Sequence, residues 1–92
     1  MAWTVTIHRA ARKKIGKLPL RGQNSLRLLI TEIELDGPVR GNWPNYSKLA
    51  EYEHHCHLKK GHPTYVAVWE EAPDGIQLIE VKYAGTHENA PY

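Results

Sequence analysis

Four of the chain's six histidines fall within Glu53-His54-His55-Cys56-His57-Leu58-Lys59-Lys60-Gly61-His62, and another stands in the C-terminal Gly85-Thr86-His87-Glu88-Asn89-Ala90-Pro91-Tyr92. Imidazole gains and loses its proton near neutral pH, so this clustering points to acid–base chemistry. A neutral ring can remove a proton from substrate, and a charged one can donate a proton or stabilise developing negative charge. Neighbouring cations oppose protonation while a bound phosphate favours it, which couples proton transfer to substrate binding.

Spacing sorts these residues. If the stretch is a strand, Tyr52, His54, Cys56 and Leu58 share one face and Glu53, His55, His57 and Lys59 share the other. The apolar set belongs in the core, which leaves His55, His57 and Lys59 on an open face within reach of a common ligand. His8 and His54 read as structural residues, His62 as part of a Gly61-His62-Pro63 turn, and Cys56 as a small buried hydrophobe rather than a nucleophile. A metal site is the competing reading, since His-x-His on a strand suits two imidazole ligands. No carboxylate or second cysteine stands at a familiar ligand spacing, so no metal is assigned. Tyr92 is read as an anchored phenol, its ring against the sheet and its hydroxyl able to bond or stack on a base, with ordinary packing as the alternative.

The elements that must position these groups follow from periodicity. Trp3, Val5 and Ile7 alternate with threonines, the pattern of a strand with one buried face. From His8 to Leu18, Ala11, Ile15 and Leu18 give a short amphipathic helix stopped by Pro19. A second helix carries Leu26, Leu29, Ile30 and Ile33 on one stripe, widened by Leu28 and Leu35, and Gly37-Pro38 ends it. A Gly-, Pro- and Asn-rich loop at 38–47 surrounds Trp43. Strands then follow: one long or two short between Tyr46 and Lys59, one at Tyr65 to Trp69, and one at Ile76 to Tyr83 after the turn Ala72-Pro73-Asp74-Gly75. Ile79, Val81 and Tyr83 are expected to face the core. The order β-α-α-β-β-β predicts an α+β domain, a helical pair packed on a mainly antiparallel sheet.

Composition bounds the rest. Ninety-two residues, 41% of them hydrophobic, make one small domain, and a single cysteine excludes an intrachain disulfide framework. Neither a membrane span nor an export signal is indicated, so a cytoplasmic location is expected. The net charge is only +2. Its distribution is uneven, because Arg9, Arg12, Lys13, Lys14, Lys17, Arg21 and Arg27 all precede the first acidic residue, Glu32. Such a block favours a polyanion such as nucleic acid, or an acidic protein.

Over nearly its full length the chain resembles the RelE/HigB branch of the RelE/ParE toxin superfamily of bacterial toxin–antitoxin systems. The matching features are the opening strand running into Ala-rich basic residues and Lys17-Leu18-Pro19, the helix ending in Asp36-Gly37-Pro38, and the stretch His55-Cys56-His57-Leu58-Lys59-Lys60-Gly61. The strand Tyr65-Val66-Ala67-Val68-Trp69 and the ending from Tyr83 to Tyr92 complete the series. The resemblance implies one RelE-like toxin domain over residues 1–92, and an mRNA endonuclease that works without metal in the ribosomal A site. In such enzymes the ribose 2′-hydroxyl attacks the adjacent phosphate, leaving a 2′,3′-cyclic phosphate and a 5′-hydroxyl.

Carried over by position, the resemblance gives His55, His57, His87 and Tyr92 as catalytic residues. Lys59, Lys60, Arg40 and Tyr65 would contact RNA or phosphate, and Arg9, Arg12, Lys13, Lys14, Lys17 and Arg21 would contact the ribosome. It also implies a cognate antitoxin as partner. The chain departs from the family in offering histidines where many RelE proteins use lysine and arginine. Thr64 or Tyr65 stands where an arginine usually opens the fourth strand. A ParE-like inhibitor of DNA gyrase, or a RelE-fold binding module without catalysis, is the alternative within the same superfamily.

Overall fold

In the computed structural model, which describes residues 3–59, 61, 63–72 and 77–92, the elements run β1 (Thr4–Ile7), α1 (Arg9–Ile15), α2 (Leu20–Asp36), β2 (Ser47–Ala50), β3 (Glu53–Lys59), β4 (Tyr65–Glu71) and β5 (Leu78–Thr86). The strands form one sheet in the order β1-β5-β4-β3-β2. β1 and β5 are parallel and every other pair is antiparallel. The expected α+β architecture is present, with four strands after the helices instead of three. Glu51 and Tyr52 turn the chain, so the segment from Tyr46 to Lys59 is two strands rather than one. Lys60, His62, Ile76 and most of the expected turn Ala72-Pro73-Asp74-Gly75 lie outside the described residues.

The helices end for local reasons. His8 caps α1, its Nδ1 accepting from the Ala10 N–H at 3.1 Å. α1 stops at Ile15, earlier than its periodicity suggests. Lys17 and Leu18 turn back onto the carbonyls of Lys14 and Ile15, and this turn delivers Leu18 to the core. Pro19 then caps α2 at its start instead of terminating α1. α2 ends at Gly37, whose φ of 97° is readily adopted only by glycine; a Cβ there would meet the indole of Trp3 at 3.1 Å.

α2 buries Leu26, Leu29 and Ile33 against Cys56, Leu58, Trp69, Ile79 and Val81 of the sheet. Leu28 and Leu35 do not widen this stripe. They are 55% and 58% exposed, on the side of the helix turned away from the sheet. The opposite face of the sheet carries a smaller cluster of Val66, Val68 and Tyr83, covered in part by Leu49 and Ala90.

Bulges in β5 and β3 decide which of their side chains reach which face. In β5 the register jumps from Trp69↔Val81 to Val68↔Tyr83, so Lys82 is the extra residue and the alternation is inverted beyond it. Ile79 and Val81 therefore face the helices as expected, whereas Tyr83 joins the smaller cluster on the other side. In β3 the register jumps from His57↔Val66 to Lys59↔Tyr65, which makes Leu58 the extra residue.

Candidate functional site

β3 presents His55 and His57 on the sheet face turned away from the helices, in register with Val68 and Val66. The C-terminal segment brings two more rings to the same place. His87 follows directly on β5 and is held by its N–H donating to the Thr64 carbonyl at 2.8 Å, and the Ala90 N–H bonds back to the His87 carbonyl at 3.2 Å. This turn folds the last residues over the sheet, so that Ala90 packs on the Val66–Val68–Tyr83 cluster. On β3, the His57 N–H donates to the Pro44 carbonyl at 2.8 Å, tying the 38–46 loop to the strand.

The four rings form one constellation. His57 and His87 have centroids 5.6 Å apart with their planes near perpendicular, and His55 lies 6.3 Å from His57. Tyr92 packs at 4.7 Å from His55 and 6.0 Å from His87. His57 and His87 line a pocket of about 260 Å³ with Thr64, Gly61, Pro63 and Glu88. Glu88 had no signal in the spacing pattern; it enters because the turn after β5 places it beside His87.

The rings differ in access. His57 is half-buried and His87 exposed. His55 is only 9% exposed, so the expected open face is closed over this residue by the C-terminal segment and Tyr92. Its Nδ1 lies 3.3 Å from the Ser47 carbonyl and 3.1 Å from the Ser47 hydroxyl. The two Ser47 oxygens hold the ring through this one nitrogen. Tyr92 is 47% exposed, with its phenol pushed above the ordinary range by burial of the ring, with smaller contributions from Tyr83 and Cys56.

The remaining expected contacts divide. The bulge at Leu58 sets Lys59 opposite Tyr65 instead of extending the histidine row, and the Lys59 ammonium sits 5.9 Å from the centre of the Tyr65 ring. Arg40 is committed elsewhere, donating to Glu32 at 3.2 Å and lying 3.9 Å from Asp36, both on α2. Asn42 and Trp43 donate to the same Glu32 oxygen, each at 2.9 Å. The bonds from Asn42, Trp43 and Arg40 hold this carboxyl below the ordinary glutamate range. The cluster fastens the 38–46 loop to the end of α2, a structural role that draws Arg40 away from the histidines. The basic residues of α1 flank the second half of β5, and the Lys14 ammonium stands 5.8 Å from the centre of the Tyr83 ring.

His54 and Cys56 face the helices. His54, fully buried, stacks on Trp69 at 5.7 Å and bridges Tyr46 and Glu71, each at 2.6 Å. The carboxylate accepts from Nε2–H, which holds the ring between Glu71 and the Tyr46 hydroxyl. Burial pushes the Cys56 thiol up to about 12, which makes it inert as a nucleophile at neutral pH. Among the described residues no group of three or more His, Cys, Asp or Glu is arranged to hold a metal ion. No described helix is long and apolar enough to cross a membrane.

No protein-family model and no curated protein matches the sequence. Solved structures do match. The archaeal RelE–RelB complex from Pyrococcus horikoshii OT3 superposes with a TM-score of 0.70 at 14% identity, covering 98% of this chain and 100% of that one. A free-state mutant of the E. coli toxin RelE gives a TM-score of 0.70 at 18% identity, over 92% of this chain and 83% of that one. The RelBE2 toxin–antitoxin complex from Mycobacterium tuberculosis gives 0.54 at 16% identity, over 94% and 99%. The chain has the RelE fold.

Proposed function

We propose that this RelE-fold chain is the toxin of a type II toxin–antitoxin system and that it acts in the cytoplasm as a ribosome-dependent mRNA endonuclease. The observation that carries the proposal is the meeting of His57 and His87 in one pocket, with His55 and Tyr92 packed beside them. Imidazoles supplied by a strand and by a separate turn can stand on either side of a phosphodiester, as in-line displacement requires.

His57 takes the proton of the ribose 2′-hydroxyl, whose oxygen attacks the adjacent phosphorus. The bond from phosphorus to the 5′-oxygen breaks, and His87 gives that oxygen a proton. The products are a 2′,3′-cyclic phosphate and a 5′-hydroxyl, with the two histidines left in exchanged protonation states. Either His55 or His57 fits the base role by residue type; access favours His57, because His55 is covered and anchored through Nδ1. His55 supports the neighbouring ring and adds its dipole to the pocket. Tyr92 shields this side from water and offers an aromatic surface to a base. Each proton transfer is worth on the order of a hundredfold or more in rate.

Arg9, Arg12 and Lys13 of α1 suit ribosomal RNA, and an antitoxin would silence the protein by covering the histidine face. Induction in cells followed by mapping of mRNA 5′ ends tests the reading. Cleavage confined to translated messages and lost in His57→Ala supports it. Growth arrest with intact mRNA and damaged DNA would instead identify a gyrase inhibitor.

A further inference from the structure

We infer that the trough between α1 and the end of β5 is a second RNA subsite, which holds the nucleotide on the 3′ side of the cut. The inference rests on the ribonuclease reading and adds to it where the substrate runs.

β1 covers only the Leu78–Val81 half of β5, and α1 flanks the remainder. The register inversion at Lys82 turns Tyr83 to the histidine face, where the Lys14 ammonium meets its ring at 5.8 Å. Lys14 and Lys17 then line a trough of about 170 Å³ together with Tyr65, Thr86 and Asn89. The same two lysines border a wider groove of about 740 Å³ along α1, together with His8, Arg9 and Lys13. No acidic residue lines either depression, and among the described residues neither lysine has a carboxylate partner.

The trough floor is closely packed. The Tyr83 hydroxyl donates to the Thr86 carbonyl at 2.7 Å, and the ring lies so close to Gly85 that a Cβ there would sit 2.8 Å from its oxygen. Unneutralised ammonium groups beside the half-buried Tyr65 ring, the Thr86 hydroxyl and the Asn89 carboxamide suit a sugar-phosphate with a stacked base.

Continuity gives the direction. Thr86 of the trough precedes His87, and Tyr65 follows Thr64, which lines the histidine pocket. The trough therefore opens on the side of His87, the residue that protonates the leaving 5′-oxygen. That oxygen belongs to the nucleotide 3′ of the cut.

The test uses the purified full chain and a short fluorescent single-stranded RNA, with fluorescence anisotropy read across a salt series. The K14E/K17E variant should bind at least about tenfold more weakly. Its slope of log affinity against log salt should be shallower by about 1.4, the value for two lost phosphate contacts on a single strand. The K48E variant, changed on β2 at the sheet edge far from α1, should bind with wild-type slope. A thiouridine placed 3′ of the mapped cut should photo-crosslink to the protein near α1, and one placed 5′ should not.

Unchanged affinity and slope in K14E/K17E, or no binding by the wild type, would overturn the subsite while leaving cleavage by the histidines to stand. Crosslinking near α1 from the thiouridine placed 5′ of the cut, and not from the one placed 3′, would likewise overturn it. Loss of binding in K14E/K17E with undiminished cleavage in H57A/H87A would remove the catalytic reading and keep the trough as an RNA site.

Discussion

The rings of His57 and His87 stand 5.6 Å apart at 71° although one belongs to a central strand and the other to the turn after the last strand. Their meeting depends on the antiparallel pairings of β4 with β3 and β5, and on the bond from the His87 N–H to Thr64. Replacing either ring by alanine should lower mRNA cleavage by a hundredfold or more without unfolding the protein. Because the two act as a unit, the double variant should be little worse than either single one. Single-turnover cleavage and thermal unfolding of the three variants check this.

Gly85→Ala should destabilise the fold by about 1–3 kcal/mol, because the added methyl meets the Tyr83 hydroxyl and ring within van der Waals distance. Tyr83→Phe in the same chain should restore part of the loss by removing the nearer atom. Urea unfolding measures both.

The Tyr46–His54–Glu71 chain is structural, so His54→Ala should cost about 2–4 kcal/mol through a cavity beside Trp69 and two orphaned polar partners. Cleavage per folded molecule should be unchanged. Comparing active-site titration with denaturant midpoints separates stability from catalysis.

Glu32 sets part of the acid limit. Its folded pKa is lowered, so the stability it contributes is fully present above the ordinary glutamate value and is lost as pH falls through the folded value. Glu32→Gln should therefore flatten the fall in stability in that acidic window and leave the neutral-to-basic side unaffected in shape. Thermal midpoints measured across acidic pH give the comparison.

Cys56, with its thiol at about 12 and no exposure, should resist thiol reagents in the native protein and react at full speed once denatured. Labelling rates with and without urea show which holds.

Much of this was legible in the sequence because local periodicity and side-chain type carry it. The α2 stripe, the Gly37 stop and the sharing of a face by His55 and His57 follow from residue spacing alone. The inward turn of Cys56 and Leu58 follows in the same way. What escaped depends on register and on long-range partners. A one-residue bulge at Lys82 reverses Tyr83, and another at Leu58 diverts Lys59; neither has a glycine or proline to announce it. Arg40 looked like a phosphate ligand until Glu32 took it, a pairing between a helix and the loop after it. The burial of His55 comes from a tail folded back over the sheet, which alternation within β3 cannot report.

Substrate with sulfur in place of the 5′-bridging oxygen at the cut separates the roles of the two histidines most directly, since a thiolate leaves without a proton from an acid. The expected result is that this substrate restores His87→Ala to nearly the wild-type rate and leaves His57→Ala defective. Equal defects in both variants on the sulfur substrate, or rescue of His57→Ala alone, would contradict the assignment of base and acid to these two rings.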